Sequence, residues 1–230
     1  MPALFEELYN KIYVTFIYES RWRFFTDGLW MTLLLTFASF ILGTLAGVLI
    51  CALKLSRISA VRKGTEWISS LFMQLPTMVL LMFFVYILFA ESSMSVVVIV
   101  ILGLTIKAGT YMSDIFYTAV KSVNSGEAEA ARTLGMTKVQ SFIHVVFPQA
   151  VASALPVYKN QFVITLQETS IVGYLAIQDL TRASDIITSR TLDAFFGLIV
   201  ISLLYLFIGW LTGLLLDLLG KKKHLGGEAK

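Results

Sequence analysis

Cysteine is almost absent from this chain. Cys51 stands alone in 230 residues, so neither an intrachain disulfide nor a cysteine-based metal site is available. Histidine occurs only twice, and His144 has no second metal-ligating residue at a recognisable spacing, which leaves it a packing or interfacial role. No Gly-x-x-x-x-Gly-Lys-Ser/Thr loop occurs, so the chain lacks that backbone cradle for nucleotide phosphates. No nucleophile and base stand together in a catalytic pattern. Charge is scarce as well: Asp, Glu, Lys and Arg make up 14% of the chain against 57% apolar residues, and mean hydropathy is +0.79. That leaves too little polar surface to coat a soluble globule.

What the chain has instead is length of apolar sequence. Leu29 to Leu53, Trp67 to Ala90 and Ala194 to Leu216 are uncharged, and each exceeds the roughly 20 residues that a helix needs to cross the hydrocarbon. Two further spans carry charge: Ser92 to Ile106 leads into Lys107 and Asp114, and about Val151 to Tyr174 contains Lys159 and Glu168. Counting both predicts an all-α membrane protein with five transmembrane helices. The first apolar run is too long for the core of a signal peptide and follows acidic as well as basic residues, so no cleavage is expected. The division expected is an N-terminal interfacial segment at 1–26, a transmembrane domain at 27–219 with a loop at about 121–148, and a basic tail at 220–230.

Five crossings place the termini on opposite sides, and the cations choose the sides. Lys54, Arg57, Arg62, Lys63, Lys121, Arg132, Lys138, Lys221, Lys222, Lys223 and Lys230 fall on one side, against Lys11, Arg21, Arg23, Arg182 and Arg190 on the other. The asymmetry predicts an outside N terminus and a cytoplasmic C terminus. The net charge of +3 then reflects loops facing anionic membrane lipid, and it supports no nucleic-acid partner.

Before the first span, Leu4/Phe5, Leu8/Tyr9, Ile12/Tyr13 and Phe16/Ile17 recur every four residues. The pattern fits an interfacial helix or a helix packed on the external loops. Within the spans, Ser39, Gly43 and Gly47 repeat at four-residue spacing, as do Gly209 and Gly213, and such small-residue stripes admit close helix contacts. Trp30, Trp67 and Trp210 near span ends read as interface anchors or core.

The most polar local unit runs from Asn124 to Pro148. Asn124 or Ser125 is a plausible N-cap with Glu127 behind it; Gly135 suits the left-handed turn that ends a helix; Thr137-x-x-Gln140 is a capping box for a second helix. Pro148 marks the next boundary. The first helix covers only about nine residues, too few to be stable alone, so packing must hold it. Its Ala128, Ala131 and Leu134 face needs a cover, which is either a partner or the chain's own helices.

Glu129-Ala130-Ala131, Gly135 four residues later, then Val145 and Phe147-Pro148 resemble the cytoplasmic coupling loop of permease subunits of ABC importers of the polar amino acid uptake family. Gln74-Leu75-Pro76, Thr110-Tyr111-Met112-Ser113-Asp114, Pro148-Gln149-Ala150, Leu155-Pro156, Asn160 and Glu168-Thr169-Ser170 extend the similarity across about residues 27 to 218. Phe147 replaces the usual Leu, Gln167 stands where Lys is common, and the Arg-Gly-Gly after Asp114 is missing. The resemblance implies a type I importer permease fold in a bacterial cytoplasmic membrane. It also implies a second permease copy or close paralogue, an ABC ATPase dimer and an extracytoplasmic solute-binding protein. ATP and Mg would belong to the ATPase, with no cofactor on this chain. Glu127, Glu129, Ala130, Ala131, Arg132 and Gly135 form the implied ATPase-docking surface.

Charges inside a bilayer are costly, so Lys107, Asp114 and Glu168 should face the bundle interior. Glu168, Thr169, Ser170, Lys107 and Asp114 are the candidate substrate-binding residues: Lys107 suits a substrate carboxylate, and Glu168, Thr169 and Ser170 suit an ammonium or amide. The alternatives are a Lys107 ion pair with Glu168 or Asp114, or snorkelling of Lys107. The function expected is inward translocation of a polar amino acid by alternating access. The alternatives are import of another small solute, such as methionine or an organic anion, and a non-transporting scaffold or sensor that engages an ATPase.

Overall fold

The computed structural model describes residues 2–224, and every regular element among them is helical. Ten α-helices follow in order: α1 Pro2–Ile12, α2 Trp22–Lys54, α3 Ser59–Gln74, α4 Thr77–Phe83, α5 Val96–Ser122, α6 Ser125–Thr133, α7 Lys138–Ser141, α8 Phe147–Glu168, α9 Leu180–Thr191 and α10 Ala194–His224. The tail cation Lys230 lies outside the described residues.

Four helical stretches are long and apolar enough to cross a membrane: Trp22–Lys54, Val96–Ser122, Lys138–Leu175 and Ala194–Leu215. A fifth candidate is broken. Ser59–Gln74 and Thr77–Leu88 meet at 104°, so the run expected as one span from Trp67 to Ala90 bends in its middle. The cause is local: Pro76 has no amide hydrogen to continue the helix, and its ring pushes Leu75 out of helical geometry. Leu75 has ψ 130°. Pro148, by contrast, does not stop the helix: the π-helical turn Phe142–Val146 runs directly into α8, and the stretch continues from Lys138 to Leu175.

The chain divides into two compact units. One comprises the chain through Phe37, Met82–Val100 and everything from Val163 onward; the other comprises Ala38–Leu81 and Ile101–Phe162. In the first unit, Phe25 of α2, Leu166 of α8, Leu180, Ala183 and Ile187 of α9, and Val200, Ile201 and Ile208 of α10 form one buried core. Helix α9 was not foreseen, since only four of its twelve residues are buried. It is seated tightly. A Cβ at Gly28 would lie 2.6 Å from the Asp179 carbonyl oxygen, and the Leu180 amide donates to Thr32 Oγ1 at 3.2 Å.

The entry to α2 is an irregular turn on the same unit. Glu19 and Ser20 both have positive φ, at 53° and 56°, a costly region for side chains other than glycine. Arg21 braces the turn by donating to the Val14 carbonyl at 2.9 Å, and Lys11 pairs with Asp193 at 3.2 Å. Tyr9, Tyr13 and Ile17 are exposed while Thr15 is buried and Phe16 packs on the core. The segment therefore has one exposed face and one packed face, as either an interfacial helix or a helix packed on the external loops would. Leu4, Phe5 and Leu8, predicted for the same face, lie outside the described side chains.

In the second unit, the small-residue stripe of α2 meets α5. A Cβ at Gly43 would lie 2.8 Å from Ala108 Cβ, and one at Gly47 2.7 Å from Met112 Cβ. Facing glycines therefore bring two backbones together. The stripe of α10 behaves differently, since Gly213 has no neighbour within 4 Å among the described residues.

Candidate docking loop and intramembrane polar sites

The helix–turn–helix between α5 and α8 follows the sequence closely. Asn124 caps α6 by accepting from the Gly126 amide at 2.9 Å. Gly135 turns with φ +93°, and Thr137 and Gln140 form the reciprocal capping box of α7. Two anchors tie α6 to its own chain: Ser141 donates to the Ala128 carbonyl at 3.0 Å, and Gln149 donates to the Glu127 carboxylate. Glu127 thus spends its side chain on α8 rather than on the cap of α6.

These anchors split the residues expected to dock a partner. Ala131 is buried, whereas Glu129, Ala130, Arg132 and Gly135 stay exposed. Leu134 is 84% exposed, and Val139 and Ile143 beyond the turn are uncovered too. Leu134, Val139 and Ile143 thus give the turn between α6 and α8 an open apolar edge.

Beside the loop, the second unit holds a half-open cavity of about 500 Å³ lined by residues that include Val48, Cys51, Phe116, Ala119, Phe147 and Tyr158. The Tyr158 hydroxyl is bonded to Thr44 Oγ1 at 2.9 Å. Such a wall offers a polar solute nothing to orient it, so the cavity is not where a polar cargo would be read.

The charged residues of the spans fall into two groups. In the second unit, Lys54 is buried and donates to Ser113 Oγ at 2.8 Å and to the Asp114 carboxylate. Sequence reasoning had treated Lys54 as a loop cation, because nothing local shows that the end of α2 lies against α5. Lys107, 3% exposed, donates to the backbone carbonyls of Phe72 at 3.1 Å, Met73 at 2.9 Å and Leu75. In the first unit, Glu168 ends α8 and is partly buried. The helix then tightens into a 3-10 turn, Thr169–Leu175, in which Thr169 Oγ1 donates to the Leu166 carbonyl and Ser170 Oγ to that of Gln167. Glu168, Thr169 and Ser170 are therefore grouped at one helix end, while Lys107 and Asp114 belong to the other unit.

A buried acid absent from the sequence expectations sits just beyond this turn. Asp179 is fully buried, caps α9 through the Arg182 amide at 2.8 Å, and holds Oδ2 without a hydrogen-bond partner among the described residues. Burial pushes its carboxyl above the ordinary value, partly offset by the amide donors. Asp-Leu-Thr-Arg at the start of a helix was the signal available, as an N-cap.

Together these elements define an all-helical, multi-pass membrane protein with an uncovered helix–turn–helix on one loop. Residues 39–224 match the profile of the binding-protein-dependent transport system inner membrane component, and the chain belongs to that family of ABC importer permeases. It is 29% identical over 193 residues to the probable amino-acid permease protein YxeN of Bacillus subtilis, covering 82% of this chain and 86% of that protein. The L-cystine transport system permease protein TcyB of the same organism is 27% identical over 224 residues, covering 95% and 92%. Among solved structures, an amino acid ABC transporter crystallised with histidines aligns with TM-score 0.80 and 31% identity over 87% of this chain and 94% of that one. An inward-facing MetNI methionine ABC transporter shares the fold at TM-score 0.71 and 20% identity, over 86% of this chain and 95% of that one.

Proposed function

We propose that this chain is the permease subunit of an ABC importer that carries a polar amino acid inward across the cytoplasmic membrane. The observation that carries the reading is α6 and its turn: Glu129, Ala130, Arg132 and Gly135 of the expected docking surface stand exposed beside an open Leu134. Relatives named for amino acids and for cystine support the class of cargo.

In this reading the chain crosses the membrane five times, with α3 and α4 forming one broken span, the N terminus outside and the C terminus in the cytoplasm. The exposed face of α6 seats in an ATPase dimer that binds ATP and Mg, and closure of that dimer rocks the spans between inward-open and outward-open states. A second permease completes the pathway and a solute-binding protein delivers the cargo. Glu168, Thr169 and Ser170 receive the cargo's ammonium or amide, a role supported by their clustering at the end of α8. Asp114 and Lys107 form the frame, since both already hold partners within the chain.

The test is uptake of labelled polar amino acids by proteoliposomes containing the permease, its ATPase and its binding protein. Uptake of at least one of them that requires ATP supports the reading. ATP hydrolysis without movement of any solute would reject it in favour of a scaffold.

A further inference from the structure

We infer that the break between α3 and α4 is a built cation site, filled by the chain's own Lys107 ammonium. The case rests on an accounting of carbonyls. In an unbroken helix, Phe72, Met73 and Leu75 would bond the amides of residues 76, 77 and 79. Pro76 has no amide hydrogen, and the 104° bend carries the amides of the following helix away from the end of α3. The carbonyls that receive Lys107 are these three.

A lysine ammonium carries three N–H donors, and all three carbonyls lie within hydrogen-bond reach of it. Tyr111, one turn further along α5, adds its hydroxyl to the Met73 carbonyl at 3.3 Å, and its ring lies 5.4 Å from Lys107 Nζ. The charge also suits its place, because the C-terminal end of a 16-residue helix such as α3 carries partial negative charge. Lys107 stands eleven residues into α5, about 16 Å along the helix. At that depth an unsatisfied carbonyl or an unpaired ammonium costs several kcal/mol, and each relieves the other here.

Lys107 is thus a positioning residue for the broken span, and the cup of carbonyls suits a small cation that can donate hydrogen bonds. Shortening the tether should leave a vacancy that ammonium or methylammonium fills. This assignment is independent of the cargo, so it is tested on the full-length chain alone in detergent, by tryptophan-fluorescence melting in choline, ammonium or methylammonium chloride at equal ionic strength.

Lys107→Ala should melt roughly 6–20 °C below wild type in choline and regain at least half of that loss in methylammonium. Lys107→Met, whose side chain fills the space without donors, should show the loss and no recovery. Wild type should ignore the choice of cation. Spin labels at Trp67→Cys and Tyr86→Cys, in a Cys51→Ser background, should report a broader distance distribution for Lys107→Ala that narrows in methylammonium. If Lys107→Ala or Lys107→Met cannot be purified, adding Pro76→Ala, which returns an amide donor to the Phe72 carbonyl, should restore the yield. Melting of Lys107→Met at the wild-type temperature, equal recovery of both variants in every cation, or failure of Pro76→Ala to restore a lost yield would each overturn the assignment.

Discussion

A single methyl group at Gly47 tests the close crossing of α2 and α5. The added Cβ would lie 2.7 Å from Met112 Cβ, 3.2 Å from the Gly109 carbonyl oxygen and 3.2 Å from the Ser113 amide nitrogen. Carbon atoms rest at about 3.5–4.0 Å, so the two helices must separate by close to 1 Å along the crossing. Two of the three obstacles are backbone, which has no rotamer to give. Overpacking of this kind costs about 1–3 kcal/mol, and in a chain of this size each kcal/mol moves the midpoint by about 2–4 °C. Gly47→Ala should therefore lower the melting temperature by roughly 2–12 °C. Gly64 and Gly213, with nothing within 4 Å among the described residues, supply the controls. In both, alanine should be neutral or slightly stabilising, because it removes backbone freedom from the unfolded chain. Thermal melts of the three variants in one detergent decide the matter. A Gly47→Ala protein that melts with wild type, or three variants that fall equally, would refute the close crossing.

Three further outcomes follow from the geometry. Gly135→Val places a β-branched residue at φ +93°; it should keep membrane insertion yet reduce co-purification of the ATPase at least several-fold, and wild-type recovery of the ATPase would count against the docking assignment. For Asp179 the folded carboxyl is raised above its ordinary value of 3.8, so its charge lowers stability as pH rises through the folded value, and the penalty disappears below the unfolded one. Asp179→Asn keeps the acceptor for the Arg182 amide and should melt higher than wild type at pH 7, by a margin that shrinks toward pH 4; a margin constant with pH would exclude burial of charge as the cause. In a Cys51→Ala background, Ser125→Cys should react with a membrane-impermeant thiol reagent only in opened cells and Asn10→Cys in intact spheroplasts, and the reverse pattern would invert the topology.

The parts of this fold that were legible in the sequence are those set by neighbours along the chain. Asn124, Gly135 and the Thr137–Gln140 pair announce their turns because capping is satisfied within four residues. Long apolar runs announce membrane helices for the same reason. The break at Leu75–Pro76 was legible in principle, since a proline restricts the residue before it, but the unbroken hydropathy of the run from Trp67 to Ala90 masked it. What could not be read is pairing at a distance. Nothing near Lys107 in sequence announces the α3 carbonyls to which it donates, and Lys54 looks like a loop cation until α5 supplies Ser113 and Asp114. Likewise, Glu127 reads as part of a cap, and only the fold brings Gln149 within reach. Buried Asp179 was missed because nothing near it in sequence shows that Gly28 and Gly173 make room for it.

Cross-linking from the tip of the loop tests the docking claim most directly. Leu134 is 84% exposed beside Gly135, and Leu192, at the end of α9, is 91% exposed. Each is replaced by cysteine in a Cys51→Ser background and treated with a short bifunctional thiol–amine reagent in membranes that contain the ATPase subunit. The account predicts an adduct between Leu134→Cys and the ATPase, with yield changing when ATP is added, and none from Leu192→Cys. An ATPase adduct from Leu192→Cys, or none from Leu134→Cys in a preparation that hydrolyses ATP, would contradict it.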